Sequence, residues 1–421
     1  MSLEGKSGAR AAVLAAVFSL GLFCSGCGDV FRPVATPVPQ PGGDPQRTAH
    51  ALVVSSNGSS LGTAVVIDVS GDTNVGTFTV GRNPVHAASI SGTDLVVNRD
   101  DHNVNAFSLA VVGSQQDPPN NIISLPGPTP SSPNDPSASP VFVTVAQGKV
   151  FVAEPGLVPP MVANISLASI PPSVSHIPVG NNPVALVVTP DGTKLYCLNK
   201  DDGTVSVIFP ALNQVVGNPI AVGASPVWGA VSRDGSRVFV LNRGSSTVSV
   251  IDTTIGPTTD TVINTLSVGA GPNYIVYQAS QNRAYVTSPG DNSLSIIENA
   301  TGTAPTVTIR SLAGAPCNAQ HPVSVTALAD GTRVYVADDA TNSVCVLNTT
   351  TNTFTKSIAV GTTPVFIASD PGSTRVYTAN SGSGDVSIIQ TSSDTTVKQN
   401  DGTTPLTIST GGTPTFIAIT P

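Results

Sequence analysis

The sequence predicts an all-β protein, a β-propeller of eight four-stranded antiparallel blades, with seven blades as the alternative. A proline recurs eight times at intervals of 42 to 56 residues, and in six units a glycine stands three residues before it. Periods of this length are typical of propeller blades and other repeat arrays. The anchor prolines are Pro84, Pro140, Pro183, Pro226, Pro272, Pro322, Pro364 and Pro414.

The unit that begins at Pro183 shows an order of elements that the other units repeat. An apolar run at 184–189 leads through Asp191-Gly192 to a second run at 194–199, and a polar loop leads to a third run at 204–208. Such runs, rich in Val, Ile, Thr and Tyr and bounded by Gly, Pro, Asp and Asn, are typical of strands. A fourth short strand precedes the next glycine. Four antiparallel strands per unit, repeated radially, predict propeller blades.

The two ends of the chain predict how the ring closes. Residues 415–420 match a first strand, whereas residues 51–54 and 64–68 match second and third strands that lack a first. We therefore expect 413–421 to pair with 49–68 and complete one blade, which leaves no exposed sheet edge. The unit at Pro140 is the least regular, and for this reason seven blades stays open.

Four second strands resemble the Tyr-Val-Thr-Asn repeat of the YVTN (YncE-like) β-propeller family, over roughly residues 49–421. They are Tyr285-Val-Thr-Ser288, Tyr335-Val-Ala-Asp338, Tyr377-Thr-Ala-Asn380 and Phe239-Val-Leu-Asn242. The resemblance implies an extracytoplasmic prokaryotic propeller, often at the cell surface. It implies little about a ligand, because propellers host many unrelated functions.

Residues 1–27 are predicted to be a bacterial lipoprotein signal peptide. Its apolar stretch from Ala11 to Phe23 is too short to span a bilayer stably. The stretch ends at Cys24-Ser-Gly-Cys27, which resembles a lipoprotein box with Cys27 as the lipid attachment site. An ordinary secretory signal is the alternative. Residues 28–48 form a Pro-rich tether, and 49–421 a single propeller domain, so we expect a membrane-anchored lipoprotein of the cell envelope, periplasmic or at the cell surface.

Composition limits the partners. Charged residues make up 10% of the chain and the formal net charge is −8, which disfavours nucleic-acid phosphate and a bare anionic membrane as generic partners. We expect a monomer whose partner is an envelope protein or a small molecule. No cofactor and no metal site is predicted, since Cys317 with His321 offers only two ligands. A bridge between Cys317 and Cys345 is left open.

Two sets of side chains recur at equivalent positions. Second strands begin with a basic residue in six units, and in three of them an Asp-Gly aspartate lies across the hairpin. We expect exposed pairs that serve solvation and turn register, with a docking surface as the alternative. These basic residues are Lys149, Lys194, Arg237, Arg283, Arg333 and Arg375, and the aspartates are Asp191, Asp234 and Asp330.

The second set lies two residues past each anchor, at the start of the innermost strand. Aromatic rings there either pack between blades or line a ligand funnel at the channel mouth, on the face of the anchor loops. The candidate ligand-binding residues, including cations from loops on that face, are Arg82, His86, Arg99, Lys200, Trp228, Arg243, Tyr274 and Phe366.

No catalytic cluster is evident from the sequence, so the main expectation is a non-enzymatic binding or scaffold protein. One alternative is a lactonase-like hydrolase, since some related propellers hydrolyse sugar lactones. Its acid and base would have to come from Arg82, His86, Arg99 and Glu154. The other alternative is a structural surface-layer component, which the Ser- and Thr-rich composition and the tether favour.

Overall fold

The computed structural model describes residues 49–108, 121–125, 139–256 and 258–420. Within these ranges the regular elements are all β-strands, arranged as eight antiparallel sheets. The protein is an eight-bladed β-propeller, as the sequence predicts, and the seven-bladed alternative is excluded. The predicted signal peptide, the tether and Cys27 lie outside the described residues.

The strands are numbered in chain order, and each blade runs from its inner to its outer strand. Blade 1 contains β34 (Thr413–Thr420), β1 (His50–Asn57), β2 (Ser60–Asp68) and β3 (Thr73–Arg82). Blade 2 contains β4 (Pro84–Ile90), β5 (Thr93–Asn98), β6 (Asn103–Ser108) and β7 (Asn121–Ser124). Blade 3 contains β8 (Phe142–Ala146), β9 (Lys149–Glu154), β10 (Met161–Ser166) and β11 (Ser173–Pro178). Blade 4 contains β12 (Pro183–Val188), β13 (Leu195–Asn199), β14 (Thr204–Phe209) and a divided outer strand, β15 (Gln214–Val215) and β16 (Ile220–Ala221).

The second half of the ring repeats this plan. Blade 5 contains β17 (Pro226–Val231), β18 (Arg237–Asn242), β19 (Thr247–Asp252) and β20 (Thr261–Ser267). Blade 6 contains β21 (Tyr274–Gln278), β22 (Arg283–Ser288), β23 (Ser293–Glu298) and β24 (Thr306–Ser311). Blade 7 contains β25 (Pro322–Ala327), β26 (Arg333–Asp338), β27 (Ser343–Asn348) and β28 (Thr353–Ala359). Blade 8 contains β29 (Pro364–Ser369), β30 (Arg375–Asn380), β31 (Asp385–Gln390) and a divided outer strand, β32 (Thr395–Thr396) and β33 (Thr407–Ser409).

Blade 1 is closed by the two ends of the chain. The C-terminal strand β34 pairs antiparallel with β1, with His50 opposite Thr420 and Val54 opposite Phe416. The predicted pairing is therefore confirmed for 413–420. The unit at Pro140 also forms an ordinary four-stranded sheet.

The core lies between the blades, because the side chains of each strand alternate between its two faces. On β13, Leu195 and Cys197 pack against blade 3, whereas Tyr196 and Leu198 pack against blade 5. Fully burying a large apolar side chain contributes roughly 1.5–3 kcal/mol. Since every second strand has buried side chains on both faces, the ring is stabilised by eight such interfaces rather than by one central core.

The glycine of the repeat is required by a close approach to the end of the second strand. A Cβ on Gly180 would lie 2.6 Å from the side chain of Asn199. Asn199 is buried, and its amide donates to the hydroxyls of Thr204 and Ser206 at 3.0 and 2.9 Å. The same overlap would occur at Gly223 with Asn242, at Gly361 with Asn380 and at Gly81 with Asn98.

The basic residues of the second strands bridge neighbouring blades, so the prediction of exposed pairs with the Asp-Gly aspartates is wrong. Lys194 Nζ donates to Asp260 of blade 5 at 2.7 and 2.9 Å. Equivalent contacts reach the next blade from four more positions: Lys149 to Asn213, Arg283 to Asn352, Arg333 to Asp394 and Arg375 to Asp72. Arg237 differs and pairs with Asp252 in its own blade. The aspartates of the hairpins instead accept hydrogen bonds from their own turns: Asp191, Asp234 and Asp330.

Cys317 and Cys345 form a disulfide, with their Cα atoms 5.3 Å apart. The third cysteine of the described chain, Cys197, is a free thiol, and burial raises its pKa above the ordinary value. His321 pairs with Asp339 through Nδ1 at 2.8 Å. Cys317 is thus committed to a covalent bond and does not form a metal site with His321.

Candidate active site

Six aromatic side chains from six blades meet at the centre of the ring, and we call them the aromatic layer. They come from the starts of the inner strands, two residues past the anchor prolines, and in four of these strands the pairing register shifts between the proline and the aromatic residue. The six residues are His86, Phe142, Trp228, Tyr274, Phe366 and Phe416.

The aromatic layer is a closed chain of ring contacts. The ring centroid of His86 lies 3.8 Å from that of Phe142 and 4.1 Å from that of Phe416. On the other side Trp228 lies 4.8 Å from Tyr274, and the remaining neighbours are 4.4 to 5.4 Å apart. These distances are typical of stacked and edge-to-face aromatic pairs. The rings therefore contact each other across the channel as well as the blades beside them.

A cavity of about 490 Å³ runs along the channel from the aromatic layer. Its wall follows the inner strands to residues at their far ends, which are Ser89, Val188, Val231 and Thr420. Those ends lead into the hairpins between first and second strands, on the face opposite the anchor loops. The aromatic layer thus separates this cavity from the anchor-loop face, where the sequence placed the ligand funnel.

His86 is buried within the aromatic layer. Burial lowers the pKa of its imidazole to about 3, and the N–H of Val143 approaches Nδ1 at 3.5 Å. The ring is therefore neutral at physiological pH, with its remaining proton on Nε2. A neutral imidazole with so low a pKa can donate a hydrogen bond but is a weak base.

The candidate cations do not line this cavity. Arg82 pairs with Asp101 on the anchor-loop face. Arg99 lines a separate cavity of about 730 Å³ on that face. Arg243 is exposed and Lys200 half-buried, each in the turn after its second strand. Of the predicted ligand-binding residues the structure brings together His86, Trp228, Tyr274 and Phe366, and it separates them from Arg82, Arg99, Lys200 and Arg243.

Glu154 also lies away from the central cavity. It ends β9, where four other blades have a buried asparagine, and its side chain is fully buried. Its Oε2 lies 3.3 Å from Nε2 of His176 in β11, towards the outer edge of blade 3. Consequently Arg82, His86, Arg99 and Glu154 do not surround one cavity, and they form no joint acid–base set.

One buried carboxylate beside the central cavity is absent from the candidates that the sequence suggested. Asp94 of β5 has no exposed surface, and Ser89, its partner across the β4–β5 hairpin, donates a hydrogen bond to its Oδ1. Burial raises the pKa of Asp94 to about 6, and the Ser89 hydroxyl opposes this shift. Aligning the repeats on the residue that ends each second strand reveals the exception, because six other blades have a buried aliphatic residue at this position: Val150, Leu195, Val238, Ala284, Val334 and Val376.

Comparison with known proteins finds a family match within the second half of the chain. Residues 256–404 match the model of a family described as Lactonase, 7-bladed β-propeller. This segment covers blades 6 and 7 with parts of blades 5 and 8. No curated protein matches the chain significantly.

Solved structures show the same fold at low sequence identity. The apo form of AztD from Citrobacter koseri is 13% identical with a TM-score of 0.61, covering 89% of this chain and 98% of that one. The periplasmic gluconolactonase PpgL from Pseudomonas aeruginosa is 16% identical with a TM-score of 0.57, covering 89% and 99%. Hydrazine synthase from Kuenenia stuttgartiensis is 17% identical with a TM-score of 0.55, covering 73% and 96%. At these identities the likeness extends to the fold alone.

The described residues contain neither a metal-binding cluster nor a membrane-spanning helix. In the part of the chain that the structure describes, no three His, Cys, Asp or Glu side chains lie close enough together to hold a metal ion. The same ranges contain no helix with the length and apolar character needed to cross a membrane.

Proposed function

We propose that this protein is a hydrolase that opens a small sugar lactone in the central cavity. The observation that carries the proposal is the match of residues 256–404 to the lactonase family. The gluconolactonase among the structural neighbours has the same fold and is named as periplasmic. The family match favours the hydrolase over the scaffold protein that the sequence led us to expect.

The cavity has the size and lining that a sugar lactone needs. Its volume of about 490 Å³ falls in the range of about 300–1,000 Å³ that is common for small-molecule sites. Trp228 and Tyr274 present ring surface at one end, which suits the apolar C–H faces of a sugar ring. Ser89, Thr144 and Thr420 contribute hydroxyl-bearing residues to the wall, which suits the hydroxyl groups of a sugar.

Hydrolysis of a lactone needs only a few groups of the protein, because a single water molecule attacks and opens the ring ester. The site must exclude bulk water from the sugar, hold the carbonyl near the attacking water, and accept a proton from that water. The aromatic layer blocks one end of the channel, so bulk water can reach the sugar only from the other end.

The test is direct assay of the purified propeller with glucono-1,5-lactone and a panel of aldonolactones, measured as acid release in a pH-stat above the spontaneous rate. Trp228→Leu should weaken substrate binding and raise KM. Leu212→Ala, at an exposed position in blade 4, is the matched control and should behave as wild type. Absence of hydrolysis above the spontaneous rate for every lactone in the panel would refute the proposal.

Binding without hydrolysis is the second candidate, and the separation of Arg82, His86, Arg99 and Glu154 favours it. Trp228 is the only tryptophan of the chain, so its fluorescence reports on the cavity. A saturable change with sugars or peptidoglycan fragments, in the absence of acid release, would identify a binding protein. Ordered self-assembly of the purified chain would instead identify a surface-layer component.

We also propose that the protein acts outside the cytoplasm, anchored through a lipid on Cys27. The disulfide between Cys317 and Cys345 supports this location, since such bonds persist mainly in oxidising compartments. Cys27→Ala should release the protein from membranes or block its processing, since lipid chains give the anchor its affinity. Unchanged detergent partitioning and unchanged mature mass in the variant would contradict this proposal.

A further inference from the structure

We propose that Ser89 and Asp94 form the acid–base pair of the central cavity, with Ser89 in contact with the attacking water and Asp94 behind it. This inference rests on the proposed lactone hydrolysis and names residues that carry it out. It replaces the set Arg82, His86, Arg99 and Glu154, which does not converge.

Asp94 occupies an unusual position in the repeat. Val96, two residues along the same strand, packs with Val54 and Val66 of blade 1, so Asp94 faces the same interface between blades 1 and 2. In six other blades a buried aliphatic residue occupies this position and completes such an interface. A buried carboxylate costs free energy there unless it is well paired. A local rule broken without a structural gain is expected at functional sites.

Asp94 is connected to the cavity through Ser89. Ser89 lines the central cavity, and its hydroxyl donates to Oδ1 of Asp94. Oδ2 of Asp94 is buried and accepts no hydrogen bond from the described residues. The carboxylate is therefore incompletely satisfied and reaches the cavity through one hydroxyl.

Asp94 is also better suited to accept a proton than the titratable side chains in the wall. The imidazole of His86, with a pKa of about 3, is too weak a base to take a proton from water. Burial raises the pKa of the Tyr274 hydroxyl, which therefore stays protonated at neutral pH. Asp94, with a pKa near 6, is ionised at neutral pH and still basic enough to accept a proton.

The pair moves one proton in each half of the reaction. Water attacks the lactone carbonyl carbon and forms a new C–O bond, while its proton passes to Oγ of Ser89 and the Ser89 proton passes to Oδ1 of Asp94. The bond from the carbonyl carbon to the ring oxygen then breaks. The proton on Asp94 returns through Ser89 to that oxygen, which becomes the hydroxyl of the hydroxy acid. The new carboxylic acid loses its proton to solvent, and the pair is regenerated.

The experiment compares three variants with wild type in the pH-stat assay: Asp94→Asn, Asp94→Leu and Ser89→Ala. Asp94→Asn keeps the shape of the side chain, and Asp94→Leu restores the aliphatic residue of the other blades, so at least one variant should fold. We expect kcat to fall roughly 100-fold or more in both Asp94 variants, which is typical of removing a general base. KM should stay within about twofold, since Trp228 and Tyr274 provide much of the contact. The control is Asp330→Asn, an exposed turn substitution, which should keep the wild-type kcat.

The outcomes of this experiment distinguish failure of the Asp94 assignment from failure of the lactonase proposal. In wild type kcat should fall with acid through an apparent pKa near 6, and this titration should be absent from the residual rate of Asp94→Asn. If wild type hydrolyses a lactone and Asp94→Asn keeps both its kcat and its pH profile, the assignment of Asp94 is overturned while the lactonase proposal stands. If wild type hydrolyses no lactone, the proposed function fails and the acid–base pair fails with it.

Discussion

Lys194 in blade 4 donates to both carboxylate oxygens of Asp260 in blade 5, and Tyr196 donates to the same carboxylate at 2.7 Å. The side chains of Lys194 and Asp260 are only 12% and 2% exposed. The tyrosine of the repeat and the basic residue two positions before it thus act together, at one carboxylate of the next blade. The arrangement recurs where Tyr335 meets Asp394 and where Tyr377 meets Asp72.

Removing the shared carboxylate should destabilise the ring strongly. Asp260→Ala leaves the Lys194 ammonium buried without its partner, and breaking a buried ion pair in this way costs about 3–5 kcal/mol. Urea unfolding should show a lower midpoint. Replacing Lys194 by Met as well should recover part of this loss, because the stranded charge is then removed.

The control for this experiment is Asp191→Ala, in the exposed hairpin of blade 4, where the carboxylate accepts only from Thr189 and Thr193. We expect a loss of about 1 kcal/mol, in line with turn hydrogen bonds. Equal losses of unfolding free energy for the Asp191 and Asp260 variants would show that the inter-blade ion pair stabilises the ring no more than a turn hydrogen bond does.

The spacing of the repeat is sufficient to predict the blades, their four strands and the closure by β34, because each depends on local patterning. The hydrogen-bond partners of long side chains do not depend on the local sequence. Lys194 lies three residues after Asp191 in sequence, yet its ammonium crosses to Asp260, 66 residues away. A pairing based on neighbours in the hairpin therefore selects the wrong carboxylate.

For the site, the ring positions could be predicted and the cavity could not. Counting two residues past each anchor finds Trp228 and Tyr274, since equivalent positions in a radial repeat must meet at the axis. Which side of the aromatic layer remains open depends on how tightly the rings pack, and a sequence does not give ring contacts. Asp94 was accessible to sequence reasoning, through alignment of the units, but it stands alone rather than in a familiar catalytic motif.

The anchor glycine provides a test of the packing around the second strands. In Gly180→Ala the new methyl group would lie 2.6 Å from the Asn199 side chain, and overpacking of this kind typically costs about 1–3 kcal/mol. Oδ2 of Asp202 would lie equally close, so removing both obstructing side chains with Asn199→Ala and Asp202→Ala should make the Gly180 substitution less costly than it is alone. Gly314→Ala is the matched control, since a Cβ there meets no atom within 4 Å. Thermal unfolding that gives equal shifts for Gly180→Ala and Gly314→Ala would contradict the steric account.

Closure of the ring by β34 predicts a strong effect of truncation. A chain that ends at Gly411 lacks the inner strand of blade 1, exposes the edge of β1, and loses Phe416 from the aromatic layer. We expect the single cooperative unfolding transition to be lost and the chain to aggregate through the free edge. Calorimetry and light scattering measure both effects. Retention of the full cooperative transition by the truncated chain would show that closure contributes little.

The buried carboxylate of Asp94 should make stability depend on pH in a defined direction. Folding raises its pKa from 3.8 to about 6, so its contribution to stability is present below about pH 4 and is lost as pH rises through 6. Above pH 7 the ionised group then costs on the order of 3 kcal/mol. Asp94→Leu should therefore raise the free energy of unfolding at pH 8 far more than at pH 4.

Ser89→Ala distinguishes the effect of the Asp94 carboxylate from the effect of apolar packing at position 94, because it keeps the carboxylate and changes only its hydrogen bond. It removes the hydroxyl that lowers the pKa of Asp94, so the loss of stability should still begin near pH 4 but continue to a higher pH, and it should be larger in total than in wild type. Urea unfolding of wild type and both variants between pH 4 and pH 8 measures these differences. If Asp94→Leu stabilises the protein equally at the two ends of this range, the gain comes from apolar packing and the pKa of Asp94 is not raised in the folded state. If the gain is confined to high pH while hydrolysis is lost, the protein retains an unfavourable carboxylate at the cavity because the reaction requires it.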